Sequence, residues 1–365
     1  MKRSVKNNFF KKIFAVALLF AGKAAAQEQS TSTIQSFVKG KTDSAFAKSS
    51  LPGIFVAYSD GKGSYFYTTG YADPDAKKAF DESTLFEIGS ITKTFTAYVL
   101  MCVLRDQQIS DTSSIISFLP KAVQANKELQ NIRFLSLMNH SSGLPRLPEN
   151  MELKEGDLQP YANYDSRMLF EYLQQATLHN PGKYQYSNLA AGLAGVLAER
   201  LSGKTYAALL DQYIFLPLKM VDEEHSLAKG STKSQGFIAD DSKSEYWNMN
   251  VLAPAGGLKC TGQEMMKYFA AMSRPVSEQS ALVVDQLTAP TINLSPTVSV
   301  CRGWHSTTKA NKPTVYWHNG GTYGFSTFGA FVKGTGQSVL VIINKFNSNA
   351  VSDNLGMQII NKMLE

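Results

Sequence analysis

Along this 365-residue chain the apolar pattern changes character twice, and the order of those changes limits the folds open to it. Near the start, Gly53 to Tyr58 and Ser64 to Tyr71 flank the Gly-rich turn Asp60 to Gly63 and read as a β-hairpin. Phe95 to Leu104 is then apolar at helical length. From about Asp111 to Lys219 the pattern is mostly helical with Pro and Gly breaks, and includes Leu189 to Leu201 and Tyr206 to Phe215. The last third returns to short β-rich runs, Val315 to Trp317, Phe325 to Val332 and Ser338 to Asn344, and closes on the periodic helix Val351 to Leu364. Strands at both ends with helices between them predict an α+β fold, one sheet completed by both ends of the chain around a mostly helical insertion. The seam between the two parts is where a site is expected.

The formal charge of +6 comes from one place. Lys2, Arg3, Lys6, Lys11, Lys12 and Lys23 lie in the first 26 residues, which hold no Asp or Glu; 36 basic residues less these 6 leaves 30 against 30 acidic ones. Five of the basic residues precede the apolar run Ile13 to Gly22, and Ala24-Ala25-Ala26 follows, the pattern of an export signal cleaved after Ala26. The alternative is an uncleaved anchoring helix, but ten apolar residues fall short of the ~20 that span a hydrocarbon core. A periplasmic or secreted protein is therefore expected, with no stable membrane anchor after cleavage. The remaining chain is charge-balanced and shows no basic stripe, which argues against nucleic acid. At 44% hydrophobic and 11% aromatic it has ample core material.

Cys102, Cys260 and Cys301 show neither C-x-x-C nor His neighbours at metal spacing, so no zinc site and no structural disulfide are expected. Cys102, inside an apolar run, reads as a small core residue.

Three segments could carry chemistry. In Phe86-Glu87-Ile88-Gly89-Ser90-Ile91-Thr92-Lys93, Ser90 opens a helix, where its own N–H is available to an oxyanion. Lys93 returns over the same helix face three residues later, able to share a proton with the hydroxyl; an N-cap serine with a solvated lysine is the plainer alternative. In Tyr184-Gln185-Tyr186-Ser187-Asn188, a tyrosine flanked by ammonium groups would lose its proton more readily, and Asn188 offers an amide to a substrate carbonyl; a half-buried tyrosine pair before a helix cap would look the same. In His318-Asn319-Gly320-Gly321, the paired glycines let a substrate approach a strand, and the Gly321 N–H could face that of Ser90; a β-bulge is the alternative. Asn139-His140-Ser141-Ser142-Gly143-Leu144-Pro145 reads as a constrained structural loop, and Pro254 to Leu258 as a tight turn lining the site.

Taken in order, F-E-I-G-S-I-T-K, H-S-S-G-L-P, Y-S-N, P-A-G-G and H-N-G-G resemble the serine β-lactamase and penicillin-recognising hydrolase superfamily, on its class C β-lactamase and D-Ala-D-Ala carboxypeptidase branch. The resemblance runs from about Gly53 to the C-terminal helix. It implies a β-lactamase/transpeptidase-like domain over residues 27–365, with an antiparallel sheet in an α/β part at about 34–110 and 255–365, and a helical part at about 111–254. It further implies Ser90 as acylated nucleophile, Lys93 as its proton partner and Tyr186 as general base. Asn188, His318, Asn319 and Gly320 would bind substrate, and the N–H groups of Ser90 and Gly321 would form the oxyanion hole. No metal or organic cofactor is implied.

The third motif departs from the Lys-Thr-Gly usual in class C β-lactamases. A histidine, with a reference pKa of about 6.5, is not a fixed cation, and Asn319 replaces a hydroxyl that commonly meets a substrate carboxylate. The expected function is an exported serine hydrolase acting on amide or ester bonds of small molecules or peptides, such as D-amino-acid peptides or cell-envelope material. A β-lactamase, a carboxylesterase or D-aminopeptidase, and a non-catalytic penicillin-binding sensor are the alternatives.

Overall fold

The structure, a computed structural model, describes residues 33–220 and 232–365; the expected leader lies outside them. Its centre is an eight-stranded antiparallel sheet. In chain order its strands are β1 (Gly53–Asp60), β2 (Ser64–Gly70), then, after a separate small pair formed by β3 (Leu85–Glu87) and β4 (Lys259–Thr261), β5 (Ile292–Asn293), β6 (Val298–Val300), β7 (His305–Thr307), β8 (Val315–Gly321), β9 (Ser326–Val332) and β10 (Gln337–Ile343). The sheet order is β2-β1-β10-β9-β8-β7-β6-β5, so the first and last strands lie side by side, next to the β2 edge. Register follows from alternation: Val56 lies opposite Val341 and Phe55 opposite Ile342, and both pairs are buried on opposite faces.

Each face is covered by helices. Residues 33–47 form α1, and α2 spans Thr92–Asp106, α3 Asn188–Ser202, α4 Gly262–Ser273, α5 Glu278–Thr288 and α6 Asn349–Met363. Ile34, Val38, Leu355, Ile359 and Ile360 of α1 and α6 pack on Ile54, Val56, Val341 and Ile343. Phe55, Ala57, Leu340 and Ile342 face the other core, shared with α4 and with the helical region. Because α2 is apolar almost all round, it is buried along most of its length between α4, α5 and α3.

The expected hairpin, long strands and helices are present. The expected helix at Tyr206 to Phe215 is α-helical over Tyr206–Leu210 and widens to a π-type turn over Asp211–Phe215. The expected helical insertion also carries a small strand pair, Gly236–Phe237 with Lys243–Ser244. Among the described residues no helix is long and apolar enough to cross a membrane.

Candidate active site

Ser90 sits in a single 3-10 turn, Gly89–Ile91, between β3 and α2. Two glycines bring the edge of β8 against this turn. Gly89 adopts a φ of 52°, and a Cβ there would lie 2.7 Å from the Gly321 nitrogen; a Cβ on Gly320 would lie 2.2 Å from the Ile88 oxygen and 2.9 Å from the Ser90 nitrogen. The approach is pinned by the Thr327 hydroxyl, which donates to the Ile88 carbonyl at 3.0 Å, and by the Asn349 amide, which donates to the Gly320 carbonyl at 2.8 Å. The Ser90 and Gly321 backbones thus meet at the N-terminal end of α2, where no side chain caps the helix.

Lys93, buried in the first turn of α2, reaches back to three oxygens: Ser90 Oγ at 3.0 Å, Asn188 Oδ1 at 2.8 Å and the Ala255 carbonyl at 2.5 Å. Burial holds its amine well below the usual lysine range, and the charge of Arg146 adds to that. The two carbonyl oxygens can only accept. A neutral amine therefore spends both N–H groups on them and turns its lone pair toward the Ser90 hydroxyl.

Tyr186 and Asn188 stand at the start of α3, where Ser187 caps the helix by accepting from the Ala190 N–H at 2.9 Å. The Tyr186 ring lies 4.8 Å from Lys93 Nζ and 5.2 Å from the Arg146 guanidinium. Desolvation of the half-buried Tyr186 is the larger influence and pushes the phenol up, while the hydrogen bond with Ser90 and the Arg146 charge pull the other way, the direction expected from nearby cations.

The third motif divides along the strand. His318 and Asn319 point to opposite faces of β8 by the pleat, so the Asn319 amide donates to Asp353 on α6 at 2.7 Å, and its expected place in substrate binding is corrected for the side chain. His318 is on the site side, its ring centroid 6.4 Å from that of Tyr186. His318 Nδ1 lies 2.5 Å from the Asn319 carbonyl, an acceptor, so Nδ1 carries the proton and Nε2 presents a lone pair. Nε2 is buried without a hydrogen-bond partner among the described residues. Burial, then the neighbouring His305, holds His318 well below its usual pKa.

Two residues inside the quoted motifs were given no role of their own by the sequence. His140, in the loop read as structural, packs its ring 4.3 Å from that of Tyr186 and accepts from the Ser187 N–H at 3.2 Å. The loop lies along the second motif: His140, Ser141 and Gly143 carbonyls accept from Gln185, Gly182 and His179, and the Arg146 carbonyl accepts from Asn188 at 2.9 Å. Glu87, buried, accepts from the Trp247 N–H at 2.5 Å and the Thr322 hydroxyl at 2.6 Å, tying β3 to the end of β8. Among the described residues no group of three His, Cys, Asp or Glu side chains is arranged to hold a metal ion. A groove of about 680 Å³ lies between α2 and α5 beside Leu104 and Leu282, away from Ser90.

An α+β fold that places a serine beside a buried lysine on its central helix, faced by a tyrosine and a strand edge, is the arrangement of a serine hydrolase. The Beta-lactamase family model matches residues 31–362, and the chain belongs to that family of serine hydrolases. A β-lactamase of Yersinia enterocolitica is 27% identical over 76% of this chain and 69% of its own length. A β-lactamase of Escherichia coli K12 is 26% identical over 62% of this chain and 58% of its own. The unguisins hydrolase UngD' of Aspergillus campestris is 27% identical over 86% of this chain and 62% of its own. Among solved structures, a β-lactamase/D-alanine carboxypeptidase of Pseudomonas syringae has a TM-score of 0.76 at 20% identity, covering 90% of this chain and 99% of that one. A class C β-lactamase of Rhodobacter sphaeroides has the same TM-score at 18% identity, with the same coverage.

Proposed function

We propose that this chain cleaves amide or ester bonds of D-amino-acid peptides or related cell-envelope material through an acyl-Ser90 intermediate, after export directed by residues 1–26. The observation that carries it is the buried Lys93 Nζ, 3.0 Å from Ser90 Oγ and within hydrogen-bond distance of two carbonyl oxygens; a neutral amine spends its two N–H groups on those and turns its lone pair to the hydroxyl.

In acylation, Ser90 Oγ gives its proton to Lys93 Nζ and attacks the substrate carbonyl carbon. The carbonyl electron pair moves onto its oxygen, which lies between the Ser90 and Gly321 N–H groups. The tetrahedral species collapses and breaks the bond to the leaving group. The departing atom takes the Tyr186 phenolic proton, and Tyr186 recovers one from the Lys93 ammonium. A phenol held protonated by its surroundings suits this acid role better than the general-base role expected from the motif alone. Water then attacks the acyl carbon, its proton passing through Tyr186 to Lys93, and Ser90 leaves with the proton Lys93 returns. Asn188 orients Lys93 and the substrate amide.

At the third motif, the neutral His318 offers an acceptor where a fixed cation would offer a donor. That favours a substrate presenting an N–H or O–H at this point over the carboxylate of a β-lactam. The names of the Yersinia and Escherichia relatives support β-lactam hydrolysis as the second reading.

Exposure to a fluorophosphonate should add one adduct, found by peptide mass spectrometry on Ser90; protein left unlabelled by both fluorophosphonate and penicillin would overturn the acyl-serine reading. Parallel assays with a D-Ala-D-Ala peptide, a D-amino-acid anilide, a short ester and nitrocefin should give turnover on the first three ahead of nitrocefin. Preferred nitrocefin turnover would favour the β-lactam reading.

A further inference from the structure

Arg146 follows directly on the H-S-S-G-L-P loop. Its backbone is held rigidly: its carbonyl accepts from the N–H groups of both Asn188 and Leu189 at the start of α3, and the Pro145 carbonyl beside it accepts from the Ser187 hydroxyl at 2.6 Å. Its side chain, by contrast, is exposed and ends 5.2 Å from the Tyr186 ring centroid. No carboxylate or hydrogen-bond acceptor engages the guanidinium among the described residues, whereas exposed Arg167 pairs with Glu171 at 2.8 Å and exposed Arg200 donates to the Phe118 carbonyl at 2.7 Å. The charge is nonetheless felt across the site, since it acts on Lys93, His140, Tyr161, Tyr184 and Tyr186. On the opposite wall the third motif supplies no cation: His318 is neutral with its lone pair inward, and the Asn319 amide is bound to Asp353.

We infer that Arg146 is a specificity-determining residue, binding a carboxylate on the part of the substrate that lies over Tyr186, on the wall opposite β8. A guanidinium on an anchored backbone, stacked on an aromatic ring and holding all its donors unused, is preorganised for bidentate contact with a carboxylate. This rests on the acyl-Ser90 reading. It differs from a role in which Arg146 merely shifts the proton affinity of Tyr186, because such a role would affect charged and neutral substrates alike.

The test uses the full chain and two matched pairs: mono-p-nitrophenyl succinate with p-nitrophenyl butyrate, and an acyl dipeptide with its C-terminal amide. The readout is the second-order rate of Ser90 acylation for each, by product release and by mass of the adduct. Arg146→Gln should lower the rate for the carboxylate member of at least one pair by roughly 10- to 100-fold more than for its neutral partner, as expected for loss of a charged hydrogen bond. Arg146→Lys should recover part of that difference, and raising salt should erode it in the wild type. Equal losses on both members of each pair, or no change, would overturn the inference. Absence of any Ser90 adduct, including with fluorophosphonate, would instead overturn the acyl-serine reading together with everything built on it.

Discussion

Three oxygens around one amine decide what Lys93 can do. Two of them, Asn188 Oδ1 and the Ala255 carbonyl, cannot donate, so of the three only the Ser90 hydroxyl can give a proton to it. Lys93→Met should therefore leave Ser90 in place and slow acylation by about 10²–10⁴-fold, measured with a p-nitrophenyl ester. Tyr186→Phe should cost about the same, since it removes the proton that the leaving group needs. Full activity in Tyr186→Phe would take the phenol out of the chemistry. At this scale the sequence was informative about Ser90 and Lys93, because their spacing on one helix face is a local property. For Tyr186 it showed the cations that draw the phenolic proton away, but not the partial burial that opposes them. It was silent about Arg146, whose carbonyl accepts from Asn188 and Leu189, and about the part of Glu87, whose partners Trp247 and Thr322 come from distant segments.

At the level of elements, the site depends on how closely β8 can approach the Ser90 turn. Gly320 is the contact point: an added Cβ would fall 2.2 Å from the Ile88 carbonyl oxygen, and the clash is with backbone, which cannot swing away. Gly320→Ala should push the strand edge off the turn and part the two oxyanion donors. The expected outcome is a loss of about 10²–10³-fold in kcat, the effect of losing one such donor, with the Ser90 adduct forming slowly but at the same residue. An unchanged kcat would mean the gap between Gly320 and Ile88 does not set the donor geometry. The long strands were legible because β1, β9 and β10 are mostly apolar runs of seven or eight residues, buried on both faces and bounded by turn residues. The two- and three-residue strands β5, β6 and β7 were not, since alternation over so short a run is indistinguishable from loop. Asn319 illustrates the same limit: its motif was readable, but the face it takes is set by the pleat of β8 against α6.

Across the whole molecule, the site leaves a mark on stability through its three buried histidines, His140, His305 and His318. Burial holds each below its usual pKa, His305 at about 4, and for His140 and His318 the surrounding charges act in the same direction. The unfolded chain takes up a proton on each near pH 6.5, while the folded chain does not until lower pH, so the unfolded state binds more protons in that window. Stability is therefore lost as pH falls from about 6.5, by up to about 1.4 kcal/mol per pH unit for each histidine. Glu87 is buried with its carboxyl pushed up, so it acts with the opposite sign: its share of stability falls as pH rises above the usual carboxylate range. Below pH 6.5 the histidines outnumber it. In urea unfolding, the midpoint should drop steadily from pH 7 to pH 5, and His305→Gln should flatten that slope, because a glutamine has no proton to take up in either state. The comparison isolates one titrating group, since the Tyr184 hydroxyl, 3.2 Å from His305 Nε2, can still bond the amide. A slope equal to that of the wild type would show that His305 is already charged in the folded protein, and with it that the pocket around His318 is wetter than its burial implies.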